Sequence, residues 1–146
     1  MARAVDLLSR RDYSRRELEQ RLRPHAESEE QLSALLEQLA ERCWQSDQRC
    51  AEQFALSKGR QYGSLRLRHA LREKGIASDT IDSALAQQND LQTARALWRR
   101  KFGALPLSPQ EKARQLRFLM ARGFPSEVIR QVLAGALDDM DSWTED

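Results

Sequence analysis

Apolar positions along the chain fall three and four apart in short runs, several opened by Ser, Asp or Gly and several closed near a Gly or Pro. That pattern predicts short amphipathic helices throughout. The first run, about Ala2 to Arg10, sets Ala4, Leu7 and Leu8 on one face with Val5 at its edge. Ser14-Arg15-Arg16-Glu17 has the form of a capping box, opening a second helix on Leu18 and Leu22 that ends near Pro24. Ser28-Glu29-Glu30-Gln31 repeats the device before Leu32, Leu35, Leu36 and Leu39. A fourth helix starts at Ser46 or Asp47 along Ala51, Phe54 and Ala55. Gly63-Ser64 opens a fifth on Leu67 and Leu71, ending at Gly75, and Ser78-Asp79 is placed to cap a sixth on Ile81, Ala84 and Leu85. A seventh begins near Asp90 with Leu91, Ala94, Leu97 and Trp98. Ser108-Pro109-Gln110-Glu111 opens an eighth on Leu116, Leu119 and Met120, which stops at Gly123 and leads to a ninth on Ile129, Val132, Leu133 and Ala136.

The pattern repeats itself. Sliding Lys58 to Leu85 forward by 48 residues puts Leu71 on Leu119, Lys74 on Arg122, Gly75 on Gly123, Ile81 on Ile129 and Leu85 on Leu133. Sliding it back by 49 pairs Tyr62 with Tyr13, Leu67 with Leu18 and Leu71 with Leu22. Self-similarity at one offset marks a repeat protein. The expectation is an all-α chain of three three-helix repeats, 1–45, 46–89 and 90–137, followed by an acidic tail, 138–146. Units this small bury little alone and stack on their neighbours, which predicts an elongated array.

A net charge of +2 conceals an alternation along the chain. Residues 1–26 carry seven Lys/Arg against four Asp/Glu, 58–74 six against one, and 95–122 eight against one. The segments between them are acidic, so each repeat opens basic and closes acidic, and stacking is expected to gather charge into bands. Cys43 and Cys50 have no metal-ligand spacing, and both are expected to be reduced packing residues of a cytoplasmic protein. No stretch is apolar enough to cross a bilayer, and the first residues do not resemble a signal peptide.

Catalysis finds no support: carboxylates are scattered over solvated faces, and no phosphate-cradling glycine loop or nucleophile motif is present. No enzyme, cofactor or metal is expected. His69 is expected in an exposed basic surface. The informative residues are basic: Arg10, Arg11, Arg15 and Arg16 in the first copy; Lys58, Arg60, Arg66, Arg68, Arg72 and Lys74, mostly directed outward, in the second; Arg99, Arg100, Lys101, Lys112, Arg114, Arg117 and Arg122 in the third. Singly, each suits a solvated helix face. Clustered, they suit phosphates or an acidic protein groove. Tyr62 reads as a staple at a helix start or as a base-stacking residue. Trp44 and Trp98 are expected in core or seam, and Trp143 lies in the acidic tail.

The stretch from Ala51 through Lys58-Gly59-Arg60-Gln61-Tyr62-Gly63-Ser64 to Lys74-Gly75-Ile76 resembles the central signature of RecX, the bacterial regulator of the RecA recombinase. Leu7 to Leu18 resembles that family's first repeat, and Arg122-Gly123-Phe124 its last. Two positions depart: Ala26 stands where the other copies have Gly, and Gln45-Ser46-Asp47 replaces a commoner acidic pair. The resemblance implies a curved molecule of three tandem repeats. It also implies a monomer lying in the groove of the RecA–DNA filament, where it restrains ATP hydrolysis, strand exchange and co-protease activity in recombination and the SOS response. Two other readings stand beside it: a freestanding DNA-binding helical repeat, and an adaptor for another acidic protein.

Overall fold

Helices account for the described residues of the computed structural model, 1–134, and no strand occurs among them. In order they are α1 (Ala2–Arg10), α2 (Arg15–Leu22), a single 3-10 turn (Arg23–His25), α3 (Glu29–Glu41), α4 (Asp47–Lys58), α5 (Ser64–Glu73), α6 (Ser78–Ala84), α7 (Asp90–Lys101), α8 (Pro109–Ala121) and α9 (Ser126–Leu133). The expected continuation to Ala136, and the acidic segment with Trp143, lie outside the described residues. None of these helices is long and apolar enough to cross a membrane.

The start signals work through identifiable hydrogen bonds. Ser14 forms the complete capping box, accepting from the Glu17 N–H while the Glu17 carboxylate accepts from the Ser14 N–H. Ser28 and Ser108 each accept from the N–H three residues on. Their partners do not close the box: Gln31 accepts from the Glu27 N–H and Glu111 from the Leu107 N–H, one residue earlier than expected. The cap expected at Ser78-Asp79 is absent. Ala77, whose methyl offers no acceptor, holds the cap position, and Asp79 accepts from the neighbouring Thr80 N–H.

The stops divide by backbone geometry. Gly75 and Gly123 lie at φ +79 and +91, the left-handed region where only Gly avoids a Cβ penalty. Ala26 needs no such freedom, since Pro24 and the 3-10 turn end α2 and leave Ala26 extended.

Contacts divide the chain, within α5, into two compact units: Met1–Ser57 with Arg68–Ala86, and Lys58–Leu67 with Gln87–Asp146. In the first, Ala4, Tyr13, Leu18, Leu22, Leu32, Leu36 and Leu39 form one buried cluster on which Leu7, Leu8, Ala26 and Leu35 pack. In the second, Ala94, Leu97, Leu119, Phe124, Ile129 and Val132 do so, flanked by Trp98, Leu116 and Phe118. Each fully buried Leu contributes about 1.5–3 kcal/mol. Exposed ion pairs such as Arg10–Asp6 contribute about 0–1 kcal/mol. Apolar seams therefore hold the units, and the ion pairs decorate them.

Three hydrophobic expectations are overturned. At the end of α3, Cys43 adopts φ +60, and the N–H groups of Trp44 and Gln45 both turn back to the Leu39 carbonyl. That turn buries Gln45 and leaves Trp44 43% exposed beneath the Arg42 guanidinium. Cys43 is exposed with it, whereas Cys50 is buried. Met120, counted with the core face of α8, is 59% exposed.

Candidate functional site

The copies meet through a clamp that occurs twice, once within each unit. In the first, Gln45 Nε2 donates to the Tyr13 carbonyl at 3.3 Å and to Asp47 Oδ1 at 2.9 Å. Asp47 Oδ1 also accepts from the Arg15 N–H at 2.8 Å. In the second, Gln88 Nε2 donates to the Tyr62 carbonyl at 3.2 Å, and the Asp90 carboxylate accepts from the N–H and hydroxyl of Ser64. Each Asp is the first residue of its own helix, so one carboxylate faces the partial positive charge of two helix starts. The opening of α2 or α5 then reaches a later glycine stop. The Ser14 hydroxyl donates to the Lys74 carbonyl at 2.6 Å, and the Gly63 N–H to the Arg122 carbonyl at 2.7 Å.

Around these shared backbone clamps the charges differ. In the first, Lys74 Nζ lies 2.9 Å from the Glu17 carboxylate, and Arg11 3.3 Å from it while its guanidinium covers the Tyr13 ring at 3.7 Å. Burial alone would push the Glu17 carboxyl up, but the Ser14 N–H, Lys74 and Arg11 together hold it below the usual carboxylate range. Arg11 is raised: burial opposes this, and the Glu17 carboxylate and Tyr13 outweigh it. Burial first, and then Glu17, pushes the adjoining Cys50 thiol up to about 11, leaving it protonated and inert at neutral pH.

In the second clamp no carboxylate meets the cations. Arg66 lies over the Tyr62 ring at 4.0 Å and Arg122 at 5.4 Å, and Arg122 is also 5.3 Å from Phe118. Phe118 stands edge-on to Phe102 at 5.4 Å, with Lys101 near the first ring and Arg114 near the second. Backbone carbonyls fix the two inner guanidiniums, Ala121 taking Arg66 and Gln61 taking Arg122. The result is a ladder of four cations on three aromatic rings, none of the four ion-paired among the described residues. Each cation–π contact contributes about 0.5–1 kcal/mol at an exposed site. It orders the guanidinium without neutralising it.

Of the residues singled out from sequence, Tyr62, Arg66, Lys101, Arg114 and Arg122 come together in this ladder. Tyr62 serves as a platform for guanidiniums at its helix start. Arg10, Arg11, Arg15 and Arg68 are paired with Asp6, Glu17, Glu37 and Asp82. Lys74, expected outward, turns in to Glu17, and the Arg16 side chain packs against Gly75. Lys58, Arg60, Arg72, Arg99, Arg100, Lys112 and Arg117 are exposed. His69 is exposed as expected, 3.6 Å from Glu73. Phe102 and Phe118 were missed, as were the clamp residues Gln45, Asp47, Gln88 and Asp90; the signal for the clamp is the spacing Gln-x-Asp, present after the third helix of the first two copies. No cluster with metal-ligating geometry occurs among the described residues. The chemistry available is anion recognition by fixed guanidiniums.

Comparison with known proteins follows the same architecture. Residues 46–85 match the family model of the RecX second three-helix domain, and residues 88–133 that of the RecX third three-helix domain. The chain is 59% identical over 138 residues to the regulatory protein RecX of Chromobacterium violaceum, covering 94% of this chain and 91% of that protein. With the RecX of Neisseria meningitidis serogroup B it shares 44% identity over 146 residues, covering 99% and 94%. Its fold matches the crystal structure of RecX from Lactobacillus salivarius with a TM-score of 0.79 at 18% identity, over 92% of each chain. On the repeats, the matched domains and the relatives together, this chain belongs to the RecX family of regulatory proteins.

Proposed function

We propose that this protein is a non-enzymatic modulator of the RecA recombinase, binding in the groove of the RecA–DNA filament and restraining ATP hydrolysis, strand exchange and co-protease activity. The observation that carries this reading is the cation ladder of the second unit. The guanidiniums of Arg66 and Arg122 are held in place by rings and carbonyls and have no ion pair among the described residues, so an anionic partner completes them. Arg99, Arg100 and Arg117 are further exposed cations on the helices that carry Lys101 and Phe118. Affinity for such a partner falls steeply with salt.

The test is charge reversal of Lys101, Arg114 and Arg117 to Glu together, three exposed positions outside the clamp and the core. Inhibition of RecA ATPase should disappear while the thermal melt stays within a few degrees of the parent's. Unchanged inhibition would remove the assignment. Sedimentation with RecA filaments and with bare single-stranded DNA at matched salt separates this function from that of a freestanding DNA-binding protein.

A further inference from the structure

Beside the ladder, the second unit carries a feature that charge does not explain. An open groove of about 950 Å³ is floored by Leu65, Leu105, Leu116, Met120 and Leu133. Leu65 and Met120 are 53% and 59% exposed, and the nearby Leu107 is 92% exposed. An exposed apolar patch of this kind marks an interaction site. Among the described residues its charged lining is Lys112 and Arg130, with no carboxylate. Arg130 is paired with Glu127, so Lys112 is the cation left for a partner.

Phosphates gain nothing from such a floor, so the nucleic acid is not its occupant. A protein helix that presents a row of aliphatic side chains edged by carboxylates matches both floor and rim. Continuity with the ladder supports the same occupant. Leu65 precedes Arg66 in the first turn of α5, and Met120 lies two residues from Arg122 at the end of α8. A partner offering apolar anchors and anionic groups side by side therefore engages both surfaces at once.

We infer that this groove is the protein-contacting half of the interface, taking an amphipathic, acid-edged helix of the filament's protein subunits while the ladder takes anionic groups beside it. The inference rests on the filament reading above. The test uses the full chain and RecA filaments assembled on single-stranded DNA, with two double variants at the exposed floor positions: Leu65→Glu with Met120→Glu, and Leu65→Lys with Met120→Lys. Both are expected to lose at least tenfold in filament affinity and to retain the parent's helical circular dichroism; the lysine pair should do so despite its added positive charge and while binding bare DNA no more weakly than the parent.

Filament affinity within twofold of the parent for both pairs overturns the inference and leaves the filament reading standing. A parent that does not bind filaments beyond their DNA overturns that reading instead, and this inference with it. Two further results reassign the groove. If deletion of residues 135–146 raises filament affinity tenfold and the deleted segment added as a peptide reverses this, the chain's own segment is the occupant. If the parent dimerises in sedimentation equilibrium and the variants do not, a second copy is.

Discussion

The two clamps share a backbone plan and differ in what surrounds it. In the first, Glu17 gathers the Ser14 N–H, Lys74 and Arg11, so the cations nearest the clamp are neutralised within the unit. In the second, Gly63 stands where the first has Ser14, and Arg66 and Arg122 lie on the Tyr62 ring as Arg11 does on Tyr13, but with no ion pair to a carboxylate among the described residues. A repeat can therefore keep its joint and change its charge. Counting basic residues treats both regions alike. At the first clamp Arg11 and Lys74 share Glu17, and of the guanidiniums on the Tyr13 ring only Arg21, at 5.7 Å, has no ion pair among the described residues, whereas at the second neither Arg66 nor Arg122 has one.

Glycine substitution should separate the clamps most. A Cβ at Gly123 would stand 2.3 Å from the Arg66 Cβ and 2.6 Å from the Arg66 nitrogen, at φ +91. Because backbone cannot yield there, Gly123→Ala should cost about 3 kcal/mol or more. At Gly75, φ +79, the added Cβ would stand 2.7 Å from the mobile Arg16 Nε and 2.8 Å from the Arg16 Cβ, a longer approach than at Gly123 and one whose nearest atoms are all side chain. Gly75→Ala should therefore cost about 2 kcal/mol, less than Gly123→Ala. Urea unfolding of the two variants checks the order; equal losses would show that the two stops are equivalent.

Removing the shared carboxylate is expected to act less strongly. Asp90→Ala leaves the N–H and hydroxyl of Ser64 without their acceptor, and Asp47→Ala does the same to the Arg15 N–H and leaves Gln45 Nε2 the Tyr13 carbonyl alone. Each should cost about 1–2 kcal/mol, as loss of a helix cap does. Thermal melts measure this, and Asn at either position should restore part of the loss.

The smallest effect should appear on acidification, at the first clamp. The Glu17 carboxyl is held below its unfolded value of about 4.3. In that window the unfolded chain binds the proton more readily than the folded one, so the stabilisation is complete above the unfolded value and is lost as pH falls through the folded one. Melting temperature against pH should therefore drop in acid for the parent and drop less for Glu17→Gln. The same slope in both would remove Glu17 from the account.

How much of this was legible follows from the range of each interaction. The α1 bounds, the Ser14 box and the stops at Gly75 and Gly123 are local, set by periodicity, an i to i+3 pair and the sign of φ, and a sequence shows all three. The Gln45 partner is a carbonyl 32 residues away, and the Lys74 partner a carboxylate 57 residues away. Neither distance leaves a trace in a hydropathy pattern. Trp44, expected in core or seam, faces out and Gln45 faces in because one left-handed residue, Cys43, decides which side chain turns inward. At the candidate site the basic residues were legible as a class. Which of them remain unneutralised was not, since that depends on where Glu17, Glu37 and Asp82 arrive.

Cys50 sits against the Asp12 carbonyl and the Glu17 carboxylate, protonated and shielded, while Cys43 faces solvent. The molecule thus carries a built-in clock beside its reference: an alkylating reagent meets Cys43 at once and Cys50 only when the surrounding strap lets go. The ratio of the two labelling rates counts how often the Glu17 assembly opens in the native protein.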